Sequence, residues 1–240
     1  MQDINYSSIV NNNDPMGKAI YDYFTNNLKD KLWVHDLFGA PVEMDTAYYF
    51  RSFNAMPELE KEALSLCDGK ILDVGAGAGS HSLYLQSFHL DITAIDISEY
   101  NCKVMKGRGL KNVIHQSIWN HNLNSYDTLL FLMNGIGFVG TIEKLTAFLH
   151  LLHRNCKDDV QLIFDSSSVD YLYEERSLPR DVYFGEIDCQ YSYNGKFSEW
   201  FKWLYVDIET LKNIASSCNW NLKFQYKDAY GQYLVVLQKS

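Results

Sequence analysis

The 240-residue sequence is short of the features that mark extracellular, membrane-spanning and nucleic-acid-coating chains. Its five cysteines (Cys67, Cys102, Cys156, Cys189 and Cys218) are scattered, odd in number and never spaced C-x-x-C. That pattern speaks against a disulfide framework and a thiolate metal site, and reads as thiols in a reducing cytoplasm. No run approaches the ~18 apolar residues of a membrane span, so no membrane partner is expected. The opening MQDINYSSIVNNNDP has neither the basic start nor the apolar core of a secretory leader. Positive charge is also scarce: 21 Lys and Arg against 30 Asp and Glu give a net charge of −9. Extensive nucleic-acid binding needs a basic face and is not expected. Low-complexity tracts and internal repeats are absent. With 47% hydrophobic and 21% charged residues the chain is not a long disordered one. Its length suffices for one sizeable core.

What is present is an ordered succession of patterns. DPMGKAIYDYFTNNL reads as a helix, with Asp14 as cap and Pro15 at the first helical position. A loop-like aromatic stretch, DTAYYFRSFNA, leads into a second helix near Met56-Pro57, so roughly the first 67 residues read as mostly helical. From 70 to about 169, apolar strands (KILDVG, LDITAID, NVIHQS, YDTLLFLM, DVQLIFDSS) alternate with helices. Largely apolar strands alternating with helices imply a parallel sheet covered on both faces, hence an α/β doubly wound domain. From 182 the period changes to two. Tyr183, Ile187, Cys189, Tyr191 and Tyr193 alternate with polar residues up to an Asn194-Gly195 hairpin signal. A helix capped by Asp207 and a closing strand pair, NLKFQY and QYLVVLQ, end the chain.

The stretch KILDVGAGAGSHSLYLQ carries the chemistry. A strand, a glycine cluster and a helix form a loop that cradles a nucleotide-like ligand at a carboxyl strand end. Gly75, Gly77 and Gly79 are spaced G-x-G-x-G, and Ser80 stands where a dinucleotide fingerprint needs its third glycine. Asp73, two positions before Gly75, would repel a pyrophosphate and welcome a cationic amino group. Asp96 closes the next strand 19 residues after Gly77, a spacing suited to gripping ribose hydroxyls. Together they describe a nucleoside with an ammonium-bearing tail.

At these residues the chain resembles the class I S-adenosylmethionine-dependent methyltransferases. The motifs are ILDVGAGAG, AIDIS, HQSIWN and YDTLLFLMNGIG, and the resemblance covers residues 68–240. It implies a Rossmann-like, seven-stranded sheet whose last strand is antiparallel. Residues 182–206 would be an inserted antiparallel β-hairpin, and residues 1–67 a helical lid. It also implies S-adenosyl-L-methionine as cofactor. The backbone of Gly75, Ala76 and Gly77 would lie along the methionyl portion. Asp73 would hold the ammonium directly or through water, and Asp96 the ribose, with Ile97 against the adenine. Ser117, Ile118 and Trp119 would reach the adenine, although Gln116-Ser117 stands where relatives often carry an acid. Met133 and Asn134 would border the transferred methyl. Arg51 is either a surface charge or the partner of the cofactor carboxylate. Trp119 and Asn134 likewise have plain alternatives, as a core side chain and a turn former.

No catalytic residue and no metal site is assigned. The methyl of a sulfonium is already activated, so alignment and water exclusion do most of the work. The tetrapeptide MNGI replaces the (D/N)-P-P-(Y/F) of base amino-methylation, and residues 131–140 lack the cysteine of cytosine C5 methylation. Three functions stay open. They are a small-molecule O- or N-methyltransferase, a protein or RNA methyltransferase, and a binding module without turnover. The dense aromatics of the hairpin and of residues 48–53 suit a core extension, an acceptor pocket or a homodimer face.

Overall fold

The computed structural model describes residues 13–240 except Arg176 and Tyr230. The N-terminal segment holds α1 (Pro15–Phe24), β1 (Leu32–His35), β2 (Val42–Met44) and α2 (Glu58–Ser65). Then come β3 (Lys70–Val74), α3 (Ser80–Ser87), β4 (Asp91–Asp96), α4 (Glu99–Gly107), β5 (Val113–His115), β6 (Thr128–Phe131), α5 (Ile142–Asn155) and β7 (Gln161–Ser167). The chain closes with β8 (Glu186–Tyr193), β9 (Lys196–Phe197), β10 (Phe201–Leu204), α6 (Ile208–Ser217), β11 (Trp220–Lys227) and β12 (Gln232–Lys239).

The main sheet has seven strands in the order β11-β12-β7-β6-β3-β4-β5. Strand β12 runs antiparallel to both neighbours, and the pairs from β7 to β5 are parallel. This is the α/β, Rossmann-like arrangement expected. The strands are apolar on both sides because helices cover both faces. On one face Leu145, Phe148, Leu149 and Leu152, the stripe of α5, are fully buried with Leu72, Leu129, Phe131 and Phe164. Truncating Phe148 to alanine in such a core costs about 3–5 kcal/mol. On the other face Leu59, Ala63 and Leu64 of α2 pack on Ile71, Leu130 and Ile163.

The N-terminal segment is more than helical. Asp14 caps α1 by accepting from Gly17 N at 2.7 Å, with Pro15 at the first position. Beyond that helix, β1 and β2 form strands that the sequence pattern did not signal. Leu32–His35 is too short for its alternation to stand out. These strands complete a second antiparallel sheet, ordered β10-β8-β1-β2, with β9 also on β8. The hairpin turns at Asn194-Gly195, both with positive φ, as a two-residue connection requires. The alternation of β8 turns Ile187, Cys189 and Tyr193 inward. Phe201 and Trp203 of β10 pair with Cys189 and Ile187 and so share that face. The second sheet thus joins sequence-distant halves into one aromatic wall.

Candidate cofactor and acceptor site

The site lies at the carboxyl ends of β3, β4 and β6. After β3 the backbone turns through Gly75 and Gly77, at φ +70° and +57°. Side chains other than glycine are strained there. A Cβ on Gly75 would meet nothing within 4 Å, so the loop presents open backbone, and one on Gly77 would meet only Tyr49, at 3.7 Å. Gly75 N donates to Ile95 O at 2.9 Å, which stitches the loop to β4. Asp96 completes the stitch. Its Oδ2 accepts from Gly77 N at 2.9 Å and from Asn101 Nδ2 at 3.2 Å, and its Oδ1 accepts from Ser98 N at 2.8 Å. Burial pushes the Asp96 carboxyl up to about 6 against these hydrogen bonds. Ile97 beside it is 47% exposed, an apolar side chain left facing outward at the strand end.

Asp73 is 2% exposed and accepts from Ser82 Oγ at 2.6 Å. Burial raises its carboxyl above the usual range, opposed by His81 and Ser82. Beneath it lies an ion cluster. Glu60 of α2 bonds Arg51 through one oxygen and His81 Nε2 through the other, at 2.7 Å for the histidine, with all three side chains nearly closed to solvent. Burial pushes the Glu60 carboxyl up, but His81 and Arg51 outweigh it and hold it below its ordinary value. The Arg51 guanidinium stacks on Tyr48 at 3.8 Å and reaches Met133 Sδ at 3.9 Å, while its Nε has no partner. Arg51 is therefore an interior residue, and the surface-charge alternative falls.

Met133 and Asn134 both have positive φ, +61° and +53°. Two consecutive left-handed residues at the end of β6 make a strained kink. Asp165 of β7 holds it by accepting from Asn134 N at 2.9 Å. Asp165 Oδ1 and Asn134 Oδ1 are buried without partners, and burial lifts the Asp165 carboxyl to about 7. Of the remaining expected residues, Ile118 is 6% exposed in the core, and Trp119 packs edge-on against Phe138 and Phe148. Their side chains are committed to packing, and Ser117 is half-buried beside them. The structure thus brings Asp73, Gly75, Ala76, Gly77, Asp96, Ile97, Met133, Asn134 and Arg51 to one edge of the sheet. The 117–119 turn adjoins that edge through the Gln116 N to Asp96 O bond at 3.1 Å.

Glu60, His81 and Asp165 were not singled out from sequence as site residues. The available signals were a charge on the inner stripe of α2 and, in QLIFDSS, an acid inside an apolar strand of the same kind as Asp73.

Comparison with known proteins shows the family of the chain. Residues 72–164 match the family described as a methyltransferase domain. The fold superposes on a crystal structure of a SAM-dependent methyltransferase from Bacteroides fragilis in complex with S-adenosyl-L-homocysteine. The TM-score is 0.87 at 34% identity, over 95% of each chain. The chain belongs to the S-adenosylmethionine-dependent methyltransferases. An uncharacterized methyltransferase of Staphylococcus carnosus is 24% identical over 215 residues, covering 87% of this chain and 97% of its own. A Clostridium acetobutylicum S-adenosylmethionine-dependent methyltransferase shares the fold at TM-score 0.57 and 13% identity, over 81% of this chain and 97% of that one.

The cofactor of this methyltransferase is S-adenosyl-L-methionine, and the chain's own residues fit it. Open backbone at Gly75 leaves room that a Cβ would fill. Asp96 keeps acceptor capacity beyond its three protein donors, and Ile97 offers an apolar surface beside it. Among the described residues no helix is long and apolar enough to cross a membrane.

Proposed function

We propose that this methyltransferase transfers the methyl group to an oxygen or nitrogen atom of a small molecule held between the glycine loop and the inner face of the second sheet. The observation that carries this reading is Tyr49. Its ring carbon Cδ1 lies 3.7 Å from where a Cβ on Gly77 would stand, and its carbonyl accepts from Ser80 Oγ at 2.6 Å. Tyr49 packs with Met16 on the cluster that holds Ala78, and Met16 also packs on the cluster that holds Tyr191 of the second sheet. Aromatic side chains on these elements suit a small apolar-bodied molecule.

When bound, the cofactor supplies a sulfonium-activated methyl group. The chain's part is to bind, orient and exclude water. In this reading Asp96 takes the ribose hydroxyls, and the Gly75-Ala76-Gly77 backbone lies along the methionyl portion. Ile97 and the backbone of Ser117, Ile118 and Trp119 flank the adenine. Asp73 holds the ammonium through an intervening donor, because its own carboxylate is enclosed under Ser82. Arg51, with an unpartnered Nε, takes the carboxylate, and Met133 and Asn134 border the methyl. Protein or RNA acceptors find less support, since the net charge of −9 disfavours an RNA backbone. The five free cysteines, four of them buried, support a cytoplasmic setting.

Titration calorimetry with S-adenosylmethionine, S-adenosylhomocysteine and NAD, followed by methyl-transfer assays on small-molecule and peptide panels, tests the proposal. Binding of both sulfur ligands and not NAD, with turnover of a small molecule, is expected. Turnover confined to peptides or RNA would overturn the small-molecule reading.

A further inference from the structure

Glu60 and His81 have no task in the reading above, yet both are ionisable, buried and bonded to each other beside the glycine loop. With Arg51 they form an ion cluster whose three side chains are nearly closed to solvent. Glu60 stands on α2 among Leu59, Ala63 and Leu64, the residues that pack this helix on the main sheet. Charges in such a place lose hydration that an apolar side chain would not, and stability alone is a poor reason to keep them there. The cluster's geometry suggests another reason. It immobilises one guanidinium. Arg51 Nη2 donates to Glu60 Oε1, and Nη1 donates to Tyr48 O at 2.6 Å. The Tyr48 ring covers the guanidinium at 3.8 Å, and Met133 Sδ lies 3.9 Å from Nη1. Held at both terminal nitrogens and on one face, the group leaves its Nε buried and unpartnered. A guanidinium is planar and rigid, so fixing its terminal nitrogens also fixes the direction of the Nε–H.

The other oxygen of Glu60 reaches the end of the glycine loop. Oε2 meets His81 Nε2 at 2.7 Å, and His81 is the second residue of α3, the helix into which that loop leads. One residue earlier, Ser80 Oγ donates to Tyr49 O at 2.6 Å. The chain around Arg51 is thus fastened to two adjacent residues at the start of α3, and Glu60 makes one of the two fastenings directly from the guanidinium. The unpartnered Nε and the open backbone of the loop are parts of one braced assembly.

We propose that Glu60 is a positioning residue for the cofactor: one oxygen holds Arg51 and the other holds α3, so that the Arg51 Nε–H is in place before the methionyl carboxylate arrives. A donor fixed in advance loses little freedom on binding, and its hydrogen bond is then realised almost in full. Glu60 touches no part of the cofactor and acts through Arg51. The inference involves no covalent step. It rests on the reading of Arg51 as the partner of the cofactor carboxylate.

The test titrates the full chain by calorimetry with S-adenosylhomocysteine and with its decarboxylated analogue, which keeps the adenosine, the sulfur and the amine. The wild type is expected to bind the first about 10-fold or more tighter. Glu60→Ala should lose about 10-fold for S-adenosylhomocysteine and nothing for the analogue, whose unchanged binding also reports correct folding. Glu60→Met, which keeps the side-chain volume without the oxygens, reads the same loss should the alanine variant not fold. Glu60→Gln keeps an oxygen for Arg51 and should stay within about 3-fold of the wild type. Arg51→Met should lose the preference too, and adding Glu60→Ala to it should remove nothing more, because the two residues act as one unit. A tighter S-adenosylhomocysteine complex in Glu60→Ala would mean that Glu60 only neutralises Arg51. That result, an unchanged affinity, an equal loss for both ligands, or losses of the two single variants that add would each overturn the inference. A preference that survives Arg51→Met is a different failure. It would remove Arg51 from the carboxylate, and the inference would fall with that reading.

Discussion

Asp96 Oδ2 accepts the backbone N–H of Gly77 at 2.9 Å, so the acid that ends one strand holds the glycine loop that follows its neighbour. The same carboxylate takes Ser98 N and Asn101 Nδ2. Loop shape therefore depends on one side chain, and in the proposed reading cofactor recognition does too. Asp96→Ala leaves these donors without their acceptor, at a cost of about 1–3 kcal/mol. Its S-adenosylhomocysteine affinity should fall about 100-fold or more, as two charge-assisted hydrogen bonds to ribose are lost. Calorimetric titration and a thermal melt of the variant check both. An unchanged affinity would remove Asp96 from the cofactor site.

The pH dependence of cofactor binding follows from the same residue. Burial raises the Asp96 carboxyl to about 6 in the free protein. Hydroxyl donors bind the ionised form better, so protonation competes with the ligand. S-adenosylhomocysteine affinity should rise from pH 5 to pH 7 and level off above, changing by up to about tenfold per pH unit on the acid side. Asp96→Asn should bind weakly and lose this component. Titrations in one buffer series across pH 5–8 decide it, and a flat wild-type profile contradicts the assignment.

Asp165 gives a stability prediction of definite sign. Its folded-state carboxyl is raised to about 7, mainly by burial, while an unfolded chain titrates near 3.9. The native state therefore holds the proton more tightly. The stability this contributes is complete below about pH 4 and is lost as pH rises through 7. Asp165→Asn keeps an acceptor for Asn134 N and removes the charge. It should be more stable than the wild type at pH 8, by at most about 4 kcal/mol, and no more stable at pH 4. Urea denaturation at the two pH values reads the difference. An equal effect at both would contradict the raised carboxyl.

Gly137 sets the contact between the main sheet and the aromatic wall. A Cβ there would fall 2.3 Å from Trp203 Nε1 and 2.7 Å from Leu204 O. Gly137→Ala must push β10 outward, costing about 1–3 kcal/mol and several degrees of Tm. Gly39→Ala, whose Cβ would meet nothing within 4 Å, serves as the control and should change stability by about 0.5 kcal/mol or less. Thermal melts of the two variants side by side make the comparison. Similar losses in both would mean that the Trp203 contact yields without cost.

Much of the main domain was legible because its signals are local. The α5 stripe, the Asp14 and Asp207 caps, the Asn194-Gly195 turn and the apolar strands each declare themselves within a few residues, and the structure has them all. The cofactor loop was legible for a related reason. Positive φ at Gly75 and Gly77 demands glycine, and an acid inside an apolar strand is conspicuous against its neighbours. The second sheet was only half legible. The alternation of β8 is plain, but β1 spans Leu32–His35 and β2 only Val42–Met44, and strands so short have no period to read.

By itself, then, the sequence determined the α/β class, the position of the glycine loop and the two acids beside it. Hydrogen-bond geometry and side-chain period are written residue by residue. Only the tertiary structure decided that Arg51 is buried on Glu60, that Asp165 clamps the kink at Met133-Asn134, and that Trp119 belongs to the core. It also decided that Tyr49 lies against Gly77, 28 positions away. Such meetings depend on which strand pairs with which. That choice is made by the packing of the whole core, and no short stretch of chain contains it.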